Sequence, residues 1–115
     1  METDCLFCKI VAKEIPAEIV HETARTLAFR DINPQAPTHV LVISKGHYAD
    51  AGAVADADDG LADEILKAAR SIAVQEGVAE SGYRVVFNTG PAAGQTVFHV
   101  HGHVLGGRDL GWPPG

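Results

Sequence analysis

No apolar run in this chain approaches the ~20 residues of a membrane-spanning helix, so no such span is expected. Positive charge is scarce as well. Nine lysines and arginines stand against fifteen aspartates and glutamates, for a net charge of −6. That balance argues against a general nucleic-acid binder, which carries a basic face. The acidic start Met1-Glu2-Thr3-Asp4 lacks the basic residues and apolar stretch of a signal peptide, and a cytoplasmic protein is the simplest expectation. Cysteine is limited to Cys5 and Cys8. In a reducing compartment such a C-x2-C pair more often binds metal or does redox chemistry than forms a structural disulfide. Repeats and low-complexity linkers are missing too. With 115 residues and a hydrophobic fraction of 46%, the chain reads as one domain, 1–115.

What is present follows two periods. Phe7–Ala12 has helical character and stops before Pro16. Ile19-Val20-His21 and Thr26–Phe29 read as strands joined by a polar turn. Asp31–Pro37 holds two prolines and reads as a loop. Val40–Ile43 is an unbroken apolar run suited to a central strand. The Ala/Asp-rich stretch Asp50–Gly60 is expected to be solvent-exposed, with Asp58 or Asp59 capping the main helix, Leu61–Gln75. Leu61, Ile65, Ala69, Ile72 and Ala73 give that helix one apolar stripe, and Gly77 is a natural stop. Tyr83–Phe87 and His99–Leu105 supply the last strands. Few helices and about five strands on short links predict an α+β fold with an antiparallel sheet.

The segment His99-Val100-His101-Gly102-His103 carries the chemistry. Spacing of i, i+2, i+4 matches the strand period and puts three imidazoles on one face. Upstream, Asn88–Thr96 is rich in small residues, and amides of Gly94, Gln95 and Thr96 are candidate donors to a phosphate. Three readings fit the spacing. One imidazole is a nucleophile at phosphorus, the three form a catalytic zinc site, or some are hydrogen-bonded core residues.

The run Gln95-Thr96-Val97-Phe98-His99-Val100-His101-Gly102-His103-Val104-Leu105 resembles the signature of the histidine-triad (HIT) superfamily. Gly106-Gly107-Arg108, the ending Gly111-Trp112-Pro113-Pro114-Gly115 and Asp31–His39 resemble its Hint branch, the nucleoside phosphoramidases. Phe7-Cys8-Lys9-Ile10 with Glu14-Ile15-Pro16 does so too. The resemblance implies a homodimer whose sheets join across the interface, each protomer binding a purine nucleoside monophosphate group. It implies hydrolysis of purine nucleoside phosphoramidates through a covalent nucleotidyl-histidine. His101 would be the nucleophile, His103 would contact the phosphate, and His39 would line the same site. Asp31 and Asn88 would hold the ribose. Leu6, Phe7, Ile10, Phe29, Ile32 and Leu41 would form the base pocket. Gly94, Gln95, Thr96 and Val97 would face the phosphate and leaving group, with Thr96 on the catalytic side. Trp112 would reach the neighbouring protomer's site.

Gly102 stands where the family pattern has a bulky apolar residue, which predicts looser packing behind the strand. The Gln95-Thr96-Val97 triplet also occurs in the dinucleoside-polyphosphate hydrolase branch, so that activity is the enzymatic alternative. A non-enzymatic nucleotide-binding regulator is the other.

Cys5 and Cys8 can face one metal from a short turn, or be small buried hydrophobes or a redox pair. Resemblance to zinc-containing bacterial members implies that His47 and His99 complete a structural Zn²⁺ site. Cys2His2 is a closed set with no open position, and no catalytic metal is expected. His21 has no assigned role.

Overall fold

The chain divides its apolar residues between the two faces of one sheet. Five strands, β1 (Ile19–Glu22), β2 (Thr26–Arg30), β3 (Thr38–Ser44), β4 (Tyr83–Val86) and β5 (His101–Gly106), run antiparallel in the order β1-β2-β3-β5-β4. Among the described residues, three α-helices accompany them: α1 (Leu6–Val11), α2 (Ala51–Ala57) and α3 (Leu61–Gln75). The structure is a computed structural model describing residues 4–115. Met1, Glu2 and Thr3 of the acidic start lie outside the described residues. Among the described residues no helix is long and apolar enough to cross a membrane.

Alternation along each strand sorts the side chains. Ala28, Val40, Val42, Val100 and Val104 pack on one face against Leu61, Ile65, Ala68, Ala69 and Ile72 of α3. Leu27, Phe29, Leu41 and Ile43 fill the other face, with Phe7 and Ile10 of α1. The stripe expected on α3 is therefore the stripe that is buried. β3 is buried along its whole length, as its central place between β2 and β5 requires.

Three expectations are corrected. Asp50–Gly60 is largely exposed, as expected, but it is in part a helix: Asp50 Oδ1 accepts the Ala53 amide at 2.9 Å and starts α2, and Val54 is buried. Asp58 then turns left-handed, and Gly60 rather than Asp58 or Asp59 is the N-cap of α3. Asp59 still accepts the Leu61 amide at 3.3 Å. Next, His99 precedes β5 instead of opening it. Val100 donates its amide to the Tyr48 carbonyl at 2.7 Å, and pairing with β3 begins at His101 opposite Ile43. Finally, the strand is not slack at Gly102. A Cβ there would lie 2.9 Å from Phe87 Cζ, so the Phe87 ring lies against the glycine. A small apolar hollow of about 130 Å³ lies beside it, between Phe87, Val100 and the helices.

Candidate active site and metal centre

Pairing places the histidines. His101 and His103 lie opposite Ile43 and Leu41 on β5, and His39 lies opposite Leu105 on β3. Directly paired residues share a face, so all three imidazoles project to the side that carries α1. Phe7 of α1 meets the His101 ring edge-on, with centroids 5.0 Å apart.

Hydrogen bonds settle which ring nitrogens carry protons. His101 Nδ1 lies 2.8 Å from the His99 carbonyl. A carbonyl only accepts, so Nδ1 is protonated, and in the neutral ring the lone pair is on Nε2. His39 Nδ1 accepts the Gln35 amide at 3.0 Å, so its proton sits on Nε2. That proton is directed at His103 Nδ1, 2.9 Å away, with Asp31 Oδ2 at 3.4 Å. His103 then carries its own proton on Nε2 and is a donor there. Burial pushes His103 down from its ordinary 6.5 to about 4, helped by the neighbouring His101 and His39 and opposed by Asp31. Burial also lowers His39, again against the pull of Asp31. Both rings are neutral near pH 7.

Asp31, His39 and His103 are close enough to be weighed as a cation site. The Gln35 contact argues against it. A metal on His39 Nε2 would move the proton to Nδ1, against an amide that already donates there.

A cleft of about 310 Å³ opens over these rings. Leu6, Phe7, Ile10, Phe29, Ile32 and Leu41 form its apolar wall, while Asp31, Thr96, Val97, His101 and His103 supply the rest of the predicted lining. Ile15, Pro16, Ala17 and Arg30 also line it and were not anticipated. No periodicity marks the first three, which follow α1 in a loop. Arg30 is held by Glu76 at 2.8 and 3.0 Å and by Glu18 at 3.1 Å, so its charge is already compensated.

Other predicted residues stand elsewhere. His39 is buried behind His103. Asn88 is half-buried just beyond β4 and is not part of the cleft lining. Gly94 and Gln95 turn their amides inward, to the Pro91 carbonyl at 3.0 Å and the Gly90 carbonyl at 3.1 Å. In these bonds the loop uses both amides to close on itself. The Gln95 side chain braces the same loop. It accepts from the Gly90 amide at 2.8 Å and donates to the Ala49 and Val97 carbonyls at 2.8 and 3.1 Å. Trp112 is 84% exposed in the C-terminal tail, outside the cleft of its own chain.

Beside the cleft, Cys5, Cys8, His47 and His99 bring their donor atoms within 4.8 Å of one another. Cys5 caps α1, its sulfur accepting the Cys8 amide at 3.3 Å. This places both thiols on one side of the first turn. His99 Nδ1 is 3.3 Å from Cys5 Sγ and 3.5 Å from Cys8 Sγ, and His47 Nδ1 is 3.4 Å from Cys8 Sγ. Bond lengths to tetrahedral zinc imply nitrogen–sulfur edges of about 3.5 Å. His99 Nε2 donates to the Ser44 carbonyl at 2.7 Å, leaving Nδ1 as the ligating nitrogen. Such outer bonds commonly orient metal-binding histidines. The donor set fits a closed zinc site.

The HIT domain profile matches residues 12–110. A 14 kDa zinc-binding protein of Zea mays is 48% identical, over 99% of this chain and 90% of its own. The protein called adenylylsulfatase HINT1 of Arabidopsis thaliana is 44% identical, over 99% and 78%. Among solved structures, a HIT family hydrolase from Legionella pneumophila superposes with a TM-score of 0.93 at 54% identity. It covers 97% of this chain and 100% of its own.

Proposed function

The chain belongs to the HIT domain family, and from that premise we propose that it hydrolyses purine nucleoside phosphoramidates through a nucleotide carried on His101. The observation that carries this reading is the 2.8 Å contact from His101 Nδ1 to the His99 carbonyl, which in the neutral ring places the proton on Nδ1 and the lone pair on Nε2, at the cleft. The coarser reading, a HIT-type hydrolase, rests on the likeness to the Legionella hydrolase and to the Arabidopsis enzyme.

The base lies against the apolar wall, with Asp31 on the ribose hydroxyls. His101 Nε2 attacks the α-phosphorus. As the new N–P bond forms, the bond to the leaving amine breaks, and the amine nitrogen keeps the electron pair and takes a proton from water. His103 donates its Nε2 proton as a hydrogen bond to a phosphoryl oxygen, with Thr96 and Val97 nearby. Because Nδ1 stays protonated, the phosphorylated imidazole is cationic, and the His99 carbonyl stabilises that charge. Water then attacks the same phosphorus, which releases the monophosphate and restores His101.

Cys5, Cys8, His47 and His99 would hold a structural Zn²⁺, which supplies a cross-link between the N-terminus and the catalytic segment. The zinc-binding protein of Zea mays supports this part of the reading. A homodimer completes it, with Trp112 reaching the neighbouring site. The exposure of Trp112 and the edge position of β4 support that arrangement.

The test is a rapid quench with an adenosine phosphoramidate, followed by intact-protein mass spectrometry. Wild type accumulates a nucleotidyl adduct. His101→Ala folds, forms none and loses at least about 10³-fold in kcat. Sustained turnover by that variant would rule out the nucleophile. One finding favours a second reading: the name of the Arabidopsis relative points to adenylyl sulfate, cleaved by the same His101 chemistry with sulfate leaving. Side-by-side kcat/KM values on the amidate, adenylyl sulfate and a dinucleoside polyphosphate separate the three. Tight AMP binding with no turnover on any of them would favour a nucleotide-binding regulator.

A further inference from the structure

The turn that ends β5 reaches back to the loop before β3. Gly107 sits in that turn with φ +87°, and a Cβ built on it would lie 2.9 Å from Pro37 Cβ. Glycine suits both the left-handed backbone and this close approach. The next residue, Arg108, donates from Nε to the Gln35 carbonyl at 3.1 Å and from Nη1 to the Asp109 carbonyl at 2.8 Å.

Gln35 connects this clasp to the catalytic histidines. Its carbonyl takes the Arg108 bond, and its amide donates to His39 Nδ1 at 3.0 Å. His39 Nε2 in turn lies 2.9 Å from His103 Nδ1. Other bonds stay inside the loop: Gln35 Nε2 donates to the Asn33 carbonyl at 3.0 Å, and the Asn33 amide to Asp31 Oδ1 at 2.8 Å. They shape the loop but do not tie it to β5.

The direction of the Gln35 amide decides the chemistry at His103. A histidine that loses a donor at Nδ1 is free to carry its own proton there. His39 Nε2 would then accept from His103 Nδ1, and the neutral His103 ring would present a bare Nε2. That nitrogen could no longer donate to a phosphoryl oxygen.

We propose that Arg108 is a positioning residue: through Gln35 it holds His39 in the Nε2–H form and so keeps His103 a donor at Nε2. The catalytic consequence rests on the phosphoramidase reading above, whereas the tautomer is independent of it.

The experiment is long-range proton–nitrogen NMR of the imidazoles near neutral pH, which distinguishes the two tautomers, together with steady-state kinetics on an adenosine phosphoramidate. Wild type is expected to show His39 as the Nε2–H form. Arg108→Met keeps the aliphatic stem, removes the donor, and is expected to show a mixture with the Nδ1–H form. Its kcat falls by roughly fivefold to tenfold while KM stays within about twofold, because the bond to the phosphoryl oxygen strengthens in the transition state. Arg84→Met removes the other arginine of the same surface cleft, which holds the Gly111 carbonyl at 2.8 Å, and leaves the His39 tautomer as in wild type. An unmixed Nε2–H form in Arg108→Met overturns the inference, whatever the activity of that variant. An equal mixture in Arg84→Met does so too, by tracing the effect to lost positive charge instead of the Gln35 bond. A mixture with kcat unchanged overturns Arg108 as a positioning residue for the reaction. No turnover by wild type overturns the hydrolase reading, and the tautomers then decide this inference alone.

Discussion

A neutral His39–His103 pair is the most consequential arrangement at the scale of single residues. The Gln35 amide fixes the His39 proton, and His39 fixes that of His103. Both rings titrate below their ordinary 6.5, His103 near 4. The unfolded chain therefore takes up protons at these positions at a higher pH than the folded chain does. Their contribution to stability is complete above about pH 6.5 and is lost as the pH falls towards about 4. Urea unfolding between those limits should show a steep acid loss in wild type and a shallower one in His103→Gln. Equal slopes would mean that the ring is not held neutral. None of this relay was legible in the sequence. The spacing put the imidazoles on one face, but the partners that assign each proton, Gln35, His99 and Ser44, are backbone groups met only after folding. The bonds of the Gln95 side chain to Gly90 and Ala49 leave no local pattern either.

Elements were easier to read wherever one period dominated. α3 spans the residues that its apolar stripe predicts, and β3 follows its apolar run. α2 leaves no periodic signal in the sequence, because only Val54 of its seven residues is buried. The contact between β5 and Phe87 yields a stability prediction. The atoms nearest a Cβ at Gly102 all belong to the far edge of the Phe87 ring, and that ring borders an apolar hollow. Gly102→Ala is therefore expected to raise the unfolding free energy by about 0.5–1 kcal/mol, since a strand glycine loses the most freedom on folding. A loss of more than about 1 kcal/mol in chemical denaturation would show that the ring is locked in place.

Across the whole molecule, the Cys2His2 cluster joins the N-terminal turn, the segment after β3 and the residue that leads into β5. Metal analysis of purified protein should return one zinc per chain. Chelation, or Cys8→Ser, should lower Tm by about 10 °C, the shift that about 2–3 kcal/mol produces in a domain of this size. Amide exchange should rise in α1 and around His99 before it rises in α3. Unchanged exchange in α1 on metal removal would show that the site does not anchor the N-terminus. The sequence disclosed this cluster only in part. Cys5 and Cys8 announce themselves by spacing, whereas His47 and His99 lie far along the chain and are joined to them by the fold.

One strand, β5, holds the working histidines on one side and the core-facing Val104 and Gly102 on the other. Its tolerance to change is therefore lopsided. Side chains on the core side can be exchanged for others of similar bulk, but the residue count between His99 and Leu105 cannot vary. Losing or gaining one residue would turn the imidazoles inward and the valines outward together. Point substitution is open to the core side of this segment over evolutionary time, and single-residue insertion or deletion is closed.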